Sequence, residues 1–502
     1  MVQGTASHVG KSVLVTALCR IFRQDGFRVA PFKAQNMSLN SYVTPNGGEI
    51  GRAQAVQAEA AGIDPTVDMN PILLKPEAES RSQVVLLGKP LRSAGARDYL
   101  GMRSQLWDAV ATSLDRLRQQ FEVVVIEGAG SPAEVNLKDG EIVNMRVARY
   151  SNAPVVLVAD IDRGGVFASL VGTLDLLEPA ERALVRALVV NKFRGDATLF
   201  DSGVTFLEER TGIPVAGVVP YFHDIHIPEE DSVVLEKPRH RNKGSVLDVA
   251  VIRLPRISNF DDFDPLERES AVGLRYVDSA AALGSPDLII LPGSKATMTD
   301  LLWLRHRGLA QAITSLVKKG TAIIGICGGY QMLGERLEDP HGIESSQLQA
   351  DGLGLLPVTT HFAPTKETHR IRGRVSFPRG LLKDAVDASV DGYEIHMGHT
   401  SGESIDAPFR IVERSGTPWD RPDGAVDPSG RVMGTYIHGL FHNATLRRSV
   451  LQSLAVLKGV SLPASGEELD REVEYDRLAA LVRRSLNMDL VYQITGLEVA
   501  VP

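Results

Sequence analysis

The sequence predicts an α/β protein with two successive domains, each built on a parallel sheet. Three observations carry this prediction. Short apolar runs alternate with helical stretches in both halves of the chain, a glycine-rich loop with Lys11 and Ser12 opens the first half, and a glycine-flanked Cys327 ends an apolar run in the second. Most of the runs are apolar on both faces, as strands are when helices cover both sides of a parallel sheet.

Six apolar runs in the first half are predicted to form strands. They are Met1–Gln3, Arg28–Pro31, Val123–Ile126, Val155–Ala159, Ala187–Val190 and Val215–Val218. A polar or glycine-containing turn follows each run, and α/β sheets bind their ligands at such turns. The sequence therefore predicts a binding site formed by these turns.

A break in this pattern between Pro220 and Lys243 predicts a linker, because the segment is polar, contains proline and ends in a basic run. We expect domains at residues 1–222 and 246–502, joined by a linker at 223–245. Strands of the second domain are predicted at Val249–Leu254, Leu288–Leu291, Ala322–Ile326 and Gly434–Ile437. A charged helical pattern over Glu467–Leu486 is expected to close the second domain or an interface.

Composition narrows the class of protein. The chain has 502 residues, of which 54 are basic and 62 acidic, so its net charge is −8. This balance argues against a general nucleic-acid surface. The two cysteines, Cys19 and Cys327, fall in different predicted domains, which favours a reducing compartment over a disulfide framework. No apolar run reaches the roughly 18 residues of a membrane span, and no signal peptide precedes the motif at residue 4. A cytoplasmic enzyme is expected.

The loop Gly4–Ser12 has the spacing of a P-loop with one extra residue, Gly-x5-Gly-Lys-Ser. Its glycines, Gly4 and Gly10, let backbone N–H groups around Thr5 point at phosphate oxygens, while Lys11 neutralises them. A helical pattern follows at once, as anion binding at a helix N-terminus requires. We therefore predict that Gly4, Thr5, Gly10, Lys11 and Ser12 bind a nucleotide.

Oxygen-bearing side chains near these strand ends are candidate magnesium ligands. Ser12 supplies the P-loop hydroxyl, and Glu127 directly follows a predicted strand. Asp160 and Asp162 stand at alternate positions after another strand, where they suit Mg²⁺ or capping of a helix. Glu49, between glycines, is a weaker candidate.

Two further strand ends carry candidate binding residues. Asn191 follows a predicted strand, where its amide can read a purine edge or simply form a turn. Lys33 follows the second strand and can hold a substrate carboxylate, with Gln35 and Asn36 as hydrogen-bond partners.

The pattern Gly325-Ile326-Cys327-Gly328-Gly329 predicts a nucleophile elbow, in which a strand turns sharply into a helix and presents a sulfur. His438 follows another predicted strand and is the candidate general base. Backbone N–H groups at Gly293 and Gly328 are the candidate oxyanion donors. Cys327 and His438 together predict cleavage of an amide through a thioacyl intermediate.

Several of these segments together resemble the cobyric acid synthase family, the glutamine-dependent amidotransferases of cobalamin biosynthesis, over nearly the whole chain. The segments are Gln3–Ser7, Phe32–Ser38, Glu127–Pro132, Asp160–Gly165, Asn191–Asp196 and those around Cys327 and His438. The first half also resembles dethiobiotin synthetase, and the second half resembles class I glutaminases.

The resemblance implies a P-loop, dethiobiotin-synthetase-like parallel-sheet domain followed by a class I glutamine amidotransferase-like α/β domain. It implies ATP and Mg²⁺ as cofactors, glutamine as ammonia donor and a corrinoid small molecule as substrate. Neither nucleic acid nor membrane is an expected partner, and a homo-oligomer is compatible with the sequence. The implied reaction is amidation of the b, d, e and g carboxylates of adenosylcobyrinic acid a,c-diamide.

One position departs from the class I pattern. Glutaminases of this class carry a glutamate two residues after the histidine, whereas this chain has Leu440. The resemblance implies that the subfamily shares this lack. His438 is therefore left without a local orienting group, and Glu394 is a possible substitute.

Three other functions fit parts of the pattern. Cobyrinic acid a,c-diamide synthase has the same two-domain plan, although Phe32–Ser38 and Glu127–Pro132 favour cobyric acid synthase. A cell-wall amidotransferase is a weaker alternative because no matching large ligase domain is recognised. A nucleotide-switch or partitioning ATPase with a degenerate glutaminase module would leave Cys327 unreactive.

Overall fold

The computed structural model describes residues 1–78, 80–228, 244–345, 347–403, 405–463 and 470–498. Most of the expected linker at 223–245 and the first residues of the expected helix Glu467–Leu486 lie outside this range. We call residues 1–228 the first half and residues 244–463 the second half.

The first half is built on a parallel sheet that contains all six predicted strands. Four are paired in the order Val2–Gly4, Val155–Asp160, Val185–Phe193 and Val215–Pro220. The other two, Val29–Phe32 and Val123–Ile126, pair in parallel with each other. A parallel bridge between Val2 and Glu127 joins this pair to the edge of the four-stranded sheet. The carboxyl ends of the strands, and hence the predicted ligand turns, lie along one edge.

The second half contains a six-stranded sheet with all four predicted strands. Its order is Val272–Val277, Leu247–Ile252, Leu288–Leu291, Ala322–Ile326, Val432–Thr435 and Ala425–Val426, and the last strand alone is antiparallel. The strand before His438 ends at Thr435, earlier than the predicted Ile437. His438 thus lies three residues beyond the strand, in an isolated antiparallel bridge with Tyr393.

Further strands, which the apolar pattern does not predict, form smaller sheets with mostly antiparallel pairing. Those in the first half comprise Gln35–Met37, Ser41–Val43, Glu49–Gly51, Ile72–Ala78, Arg81–Leu86 and Lys89–Gly95. Those in the second half comprise Ile257–Ser258, Gly293–Ser294, Arg336–Glu338, Gln349–Asp351, Thr359–Val375, Ser389–Ser401, Phe409–Arg414 and Thr417–Asp423. Many of their residues are polar, and this is why a search for apolar runs passes over them.

The helices cover the sheets. In the first half they are α1 (Lys11–Gln24), α2 (Arg52–Ala61), α3 (Ala96–Gln120), α4 (Met145–Ser151), α5 (Val166–Asp175), α6 (Pro179–Arg182) and α7 (Asp201–Thr211). In the remainder they are α8 (Asp264–Arg268), α9 (Ala280–Leu283), α10 (Thr297–His306), α11 (Leu309–Lys318), α12 (Gly328–Leu333), α13 (Ala444–Lys458), α14 (Arg471–Ser485) and α15 (Met488–Thr495). None of the helices in the described ranges has both the length and the apolar character needed to cross a bilayer.

The C-terminal helices α14 and α15 return to the first half. Leu478 and Val482 are fully buried in the same apolar cluster as Val15 of α1. The backbone N–H of Asn487 donates to the carbonyl of Ala216, at the edge of the first sheet. The charged residues of α14 lie on its outer face. The sequence therefore predicts a surface helix, but it does not show which half of the chain this helix packs against.

Candidate active sites

Cys327 occupies the nucleophile elbow that the sequence predicts. It follows the buried strand Ala322–Ile326 directly, α12 begins at the next residue, and its φ of 51° is in the left-handed region, which is strained for a residue with a side chain. A side chain at Gly329 would place its Cβ 1.9 Å from the carbonyl oxygen of Leu291. Glycine at this position therefore allows the turn to pack against the neighbouring strand.

His438 is held by Asp262, a residue that the sequence analysis did not single out. Nδ1 of His438 lies 2.7 Å from Oδ2 of Asp262, and Oδ1 of the same carboxylate accepts the N–H of Gly439 at 2.8 Å. Nε2, the other ring nitrogen, is buried and has no hydrogen-bond partner among the described residues. Burial opposes the charge of His438, but Asp262 and the nearby Cys327 thiol raise its pKa to about 10.

Cys327, His438 and Asp262 therefore have the arrangement of a triad of nucleophile, base and orienting carboxylate, and their catalytic roles remain a prediction. The hypothesis that Glu394 orients His438 is not supported by the geometry. Glu394 is buried beside Arg414, with Oε1 2.5 Å from Nε of the guanidinium, and 3.5 Å from Nε2 of His396. The available sequence signal was the acidic pair Asp261-Asp262 after a strand of the second sheet, but 176 residues separate Asp262 from His438.

The predicted oxyanion residues lie close to the triad. A Cβ at Gly293 would be 3.0 Å from Cε1 of His438, and a Cβ at Gly328 would be 2.9 Å from the backbone nitrogen of Ser294. The turn after Leu288–Leu291 and the start of α12 thus face each other beside the sulfur. This placement is compatible with the predicted oxyanion donors, which remain a prediction.

A pocket opens at Cys327 and is lined by both halves of the chain. The first half contributes Lys75, Glu77 and Gln83, while the second contributes Lys295, Lys366 and Gln331 among others. Two of these lysines bind Glu49, whose carboxylate is fully buried and accepts hydrogen bonds from Lys75 at 2.6 Å and from Lys366. The two lysines hold the pKa of Glu49 well below its usual range against the effect of burial. Glu49, the weaker candidate for metal binding, is therefore already ion-paired with two lysines.

The P-loop conformation holds Lys11 over its own backbone. Nζ of Lys11 donates to the carbonyl of Ala6 at 2.9 Å and to that of Gly130 at 3.1 Å. Burial lowers the pKa of Lys11 to about 8, and Glu127 opposes this shift. Gly4 lies beside the ammonium, since a Cβ there would be 3.0 Å from Nζ. The loop therefore encloses its cation, as a phosphate cradle requires.

Glu127 connects several predicted residues at the edge of the first sheet. Its Oε1 accepts from Ser12 Oγ at 2.8 Å and from Lys33 Nζ at 2.7 Å, and its Oε2 accepts from Gln57 at 2.5 Å. Burial opposes ionisation, but Lys33 and these hydrogen bonds hold the pKa of Glu127 below its usual value. The sequence does not single out Gln57 of α2, because the alanine-rich pattern around it is typical of a helix that only packs in the interior.

Asn191 supports the P-loop in the structure. Its Nδ2 donates to the carbonyl of Val9 at 2.8 Å, and a Cβ at Gly10 would lie 2.1 Å from that nitrogen. Gly10 has a φ of 99°, which side chains rarely adopt. Asn191 thus contacts the nucleotide loop, while its predicted contact with a purine remains a prediction.

The other predicted residues are already engaged. Asp160 lies 2.8 Å from Lys192 Nζ, Asp162 lies 2.6 Å from Arg194 Nε, and no three acidic, histidine or cysteine groups converge as a metal cluster in the described ranges. Binding of magnesium by Ser12, Glu127, Asp160 and Asp162 remains a prediction. Gln35 accepts a hydrogen bond from Tyr99, and Asn36 is buried and donates to Gln54 at 3.0 Å.

Comparison with known proteins gives a family match for each half of the chain. Residues 1–234 match the family described as the CobQ/CobB/MinD/ParA nucleotide binding domain, and residues 248–446 match the CobB/CobQ-like glutamine amidotransferase domain. A cobyric acid synthase from Dehalococcoides mccartyi strain CBDB1 is 53% identical over 98% of each chain. The chain belongs to the cobyric acid synthase family. The predicted fold class, a P-loop domain followed by an amidotransferase domain, is confirmed.

Two other relatives show the same extent of similarity. The cobyric acid synthase of Sorangium cellulosum strain So ce56 is 54% identical over 99% of this chain and 98% of its own. That of Moorella thermoacetica strain ATCC 39073 is 53% identical over 99% of this chain and 97% of its own. Family membership therefore applies to the whole chain, including α14 and α15.

Proposed function

We propose that this protein uses ATP and glutamine to amidate the b, d, e and g side-chain carboxylates of adenosylcobyrinic acid a,c-diamide, giving adenosylcobyric acid. The observation that carries the proposal is the presence of two chemical centres in one chain. The first is the triad Cys327–His438–Asp262, and the second joins the P-loop to Glu127 and Lys33. Full-length relatives named cobyric acid synthase support the choice of substrate.

The triad suits the release of ammonia from glutamine. The Cys327 thiolate attacks the amide carbon, and the carbonyl electrons move to an oxygen that faces the N–H groups near Gly293 and Gly328. As the C–N bond breaks, His438 donates its proton to the leaving nitrogen. The raised pKa of about 10 keeps His438 protonated for this role at neutral pH. Water then attacks the thioester and gives up a proton to His438, and glutamate leaves.

The P-loop centre suits the activation of a carboxylate, which has no leaving group at neutral pH. An oxygen of the corrinoid carboxylate attacks the γ-phosphorus of ATP, the bond to ADP breaks and an acyl phosphate forms. Ammonia attacks the acyl carbon, phosphate leaves and the nitrogen loses a proton. Lys11 and the loop N–H groups balance the phosphate charge. Lys33 is ion-paired with Glu127, and a carboxylate of the substrate can replace Glu127 as its partner.

Magnesium fits the residues at this centre. The Ser12 hydroxyl and the Glu127 carboxylate are oxygen ligands only 2.8 Å apart, as a hard cation prefers. Bound there with ATP, the ion would supply positive charge to the phosphates. Lys33 occupies the same carboxylate oxygen as Ser12, so ion binding and the position of Lys33 depend on each other.

The test is product analysis with MgATP, amide-labelled nitrogen-15 glutamine and adenosylcobyrinic acid a,c-diamide. We expect four labelled nitrogens in the corrinoid and one glutamate for each. Amidation of adenosylcobyrinic acid at two positions, without turnover of the a,c-diamide, would identify a cobyrinic acid a,c-diamide synthase. Absence of glutamate release would contradict the proposal and favour a nucleotide-switch ATPase.

A further inference from the structure

A loop of the second half carries the orienting carboxylate and is anchored to the first half. The N–H of Phe260 donates to Asn40 Oδ1 at 3.2 Å, and the N–H of Ser41 donates to Asn259 Oδ1 at 2.9 Å. Asn259 is buried and has a φ of 52°. These reciprocal contacts fix the loop three residues before Asp262 to a hairpin that belongs to the other half.

A buried ion pair strengthens the same connection. Nε of Arg52, the first residue of α2, lies 3.2 Å from Oδ2 of Asp261, and the two side chains are only 4% and 2% exposed. The guanidinium also lies over the ring of Tyr42 at 5.1 Å. Asp261 directly precedes Asp262. A shift of Arg52 therefore acts on the backbone of the residue that orients His438.

The same helix contacts the P-loop centre. Gln57 of α2 donates to Glu127 at 2.5 Å, and Gln54 accepts from Asn36 at 3.0 Å. Arg52 and Gln57 are separated by about 8 Å along the axis of a regular helix. Thus one short, buried helix touches Glu127 at one point and the ion-pair partner of the triad loop at another.

We propose that α2 couples the two centres, and that Arg52 is the positioning residue that sets the triad through Asp261. In this arrangement a change at Glu127, where ATP and the carboxylate meet, displaces Gln57 and hence α2. Arg52 then moves the loop that carries Asp262 and adjusts the alignment of His438 with Cys327. Glutamine cleavage becomes tied to readiness of the acceptor. This inference rests on the proposed glutaminase and ligase activities.

A purely structural ion pair is the competing explanation, and two variants separate it from positioning. Arg52→Gln removes one charge and leaves Asp261 buried without its partner. The double variant R52Q/D261N removes both charges, so no buried charge is left alone. Arg275→Gln is the matched control, because Arg275 pairs with Asp248 at 2.8 Å within the second half, away from the interface.

The readouts are kcat and KM for glutamine, glutamate formed per amide formed, and amidation supported by ammonium chloride. For both Arg52 variants we expect kcat for glutamine to fall about 10–100-fold. We also expect more glutamate to form per amide, with ammonium-supported amidation near that of the unmodified enzyme. KM for glutamine should change much less than kcat, since Arg52 does not line the pocket.

The proposal is overturned if the double variant has the kcat and the glutamate-to-amide ratio of the unmodified enzyme. It is also overturned if glutamine-supported and ammonium-supported amidation fall equally, or if Arg275→Gln shows the same pattern. Failure of the unmodified enzyme to release glutamate would instead contradict the proposed function, so the two failures are distinguishable.

Discussion

The imidazole of His438 donates its Nδ1 proton to a carboxylate oxygen of Asp262 at 2.7 Å, and both side chains are almost completely buried. This single contact fixes the ring so that Nε2 is free for the sulfur. It also supplies, from elsewhere in the chain, the acidic group that class I glutaminases carry two residues after the histidine. Leu440 at that position is fully buried and serves the apolar core.

Replacement of Asp262 should therefore impair glutamine cleavage more than replacement of Glu394. Asp262→Asn removes the charge that raises the pKa of His438, so we expect kcat to fall about 10²–10⁴-fold. The alkaline limb of the pH–rate profile should move to lower pH, because His438 then loses its proton earlier. Glu394→Gln is the control and should retain turnover. Equal losses in the two variants would contradict the role given to Asp262.

A mutation in the triad and a mutation in the P-loop should each remove only the activity of its own centre. Cys327→Ala should abolish glutamine-dependent amidation but retain amidation with ammonium, because the P-loop centre is unchanged. Lys11→Ala should abolish ATP-dependent amidation with either nitrogen source, while part of the basal glutamine hydrolysis persists. Glutamate release and amide formation are measured in parallel. Loss of ammonium-dependent activity in Cys327→Ala would contradict this division.

A methyl group at Gly10 should disrupt the nucleotide loop. Its Cβ would lie 2.1 Å from Nδ2 of Asn191, so the bond that braces the loop must break. We expect Gly10→Ala to raise the Kd for ATP by at least about tenfold, equal to about 1.4 kcal/mol. Gly26→Ala is the control, since Gly26 also has a positive φ, 90°, but no atom within 4 Å of a new Cβ. Isothermal titration with ATP measures the difference.

Stability should depend on pH through His438. Its folded-state pKa, about 10, exceeds the ordinary value of 6.5, so its contribution is fully present below about pH 6.5 and is lost as the pH rises through 10. The free energy of unfolding should thus fall more steeply between these pH values in the unmodified protein than in Asp262→Asn. Urea unfolding at several pH values tests this, and parallel slopes in the two proteins would rule it out.

Truncation of Leu478 on α14 should destabilise the first half. The side chain is fully buried against α1, so Leu478→Ala is expected to cost about 2–5 kcal/mol. On heating, ATP binding should be lost at a lower temperature than glutamine hydrolysis. Leu457→Ala is the control, because Leu457 is 49% exposed. Thermal inactivation of the two activities, followed separately, shows which half is affected.

The motifs readable from the sequence are those whose chemistry resides in contiguous residues. The P-loop and the elbow at Cys327 need glycines at fixed spacing from a lysine or a cysteine, and backbone conformation at these positions is a local property. The strands of the two parallel sheets were equally accessible because burial on both faces leaves an apolar run. The position of His438 after such a strand makes it the candidate base, and this role stays a prediction.

Contacts between distant segments were not accessible in this way. The polar hairpins lack apolar runs, and α14 shows the charges of its outer face but not the surface that it covers. In the sequence, Gln57 has no feature that distinguishes it from other helical residues. Only the folded chain shows that it contacts Glu127.

By itself the sequence determined the two-sheet architecture, the phosphate loop and the family, and it supplied the candidate nucleophile and base. Only the tertiary structure decided that Asp262 orients His438, that Arg52 pairs with Asp261, and that α14 completes the first half. The physical reason is that local patterns encode backbone conformation and burial, whereas a hydrogen bond across 176 residues exists only once the chain has folded.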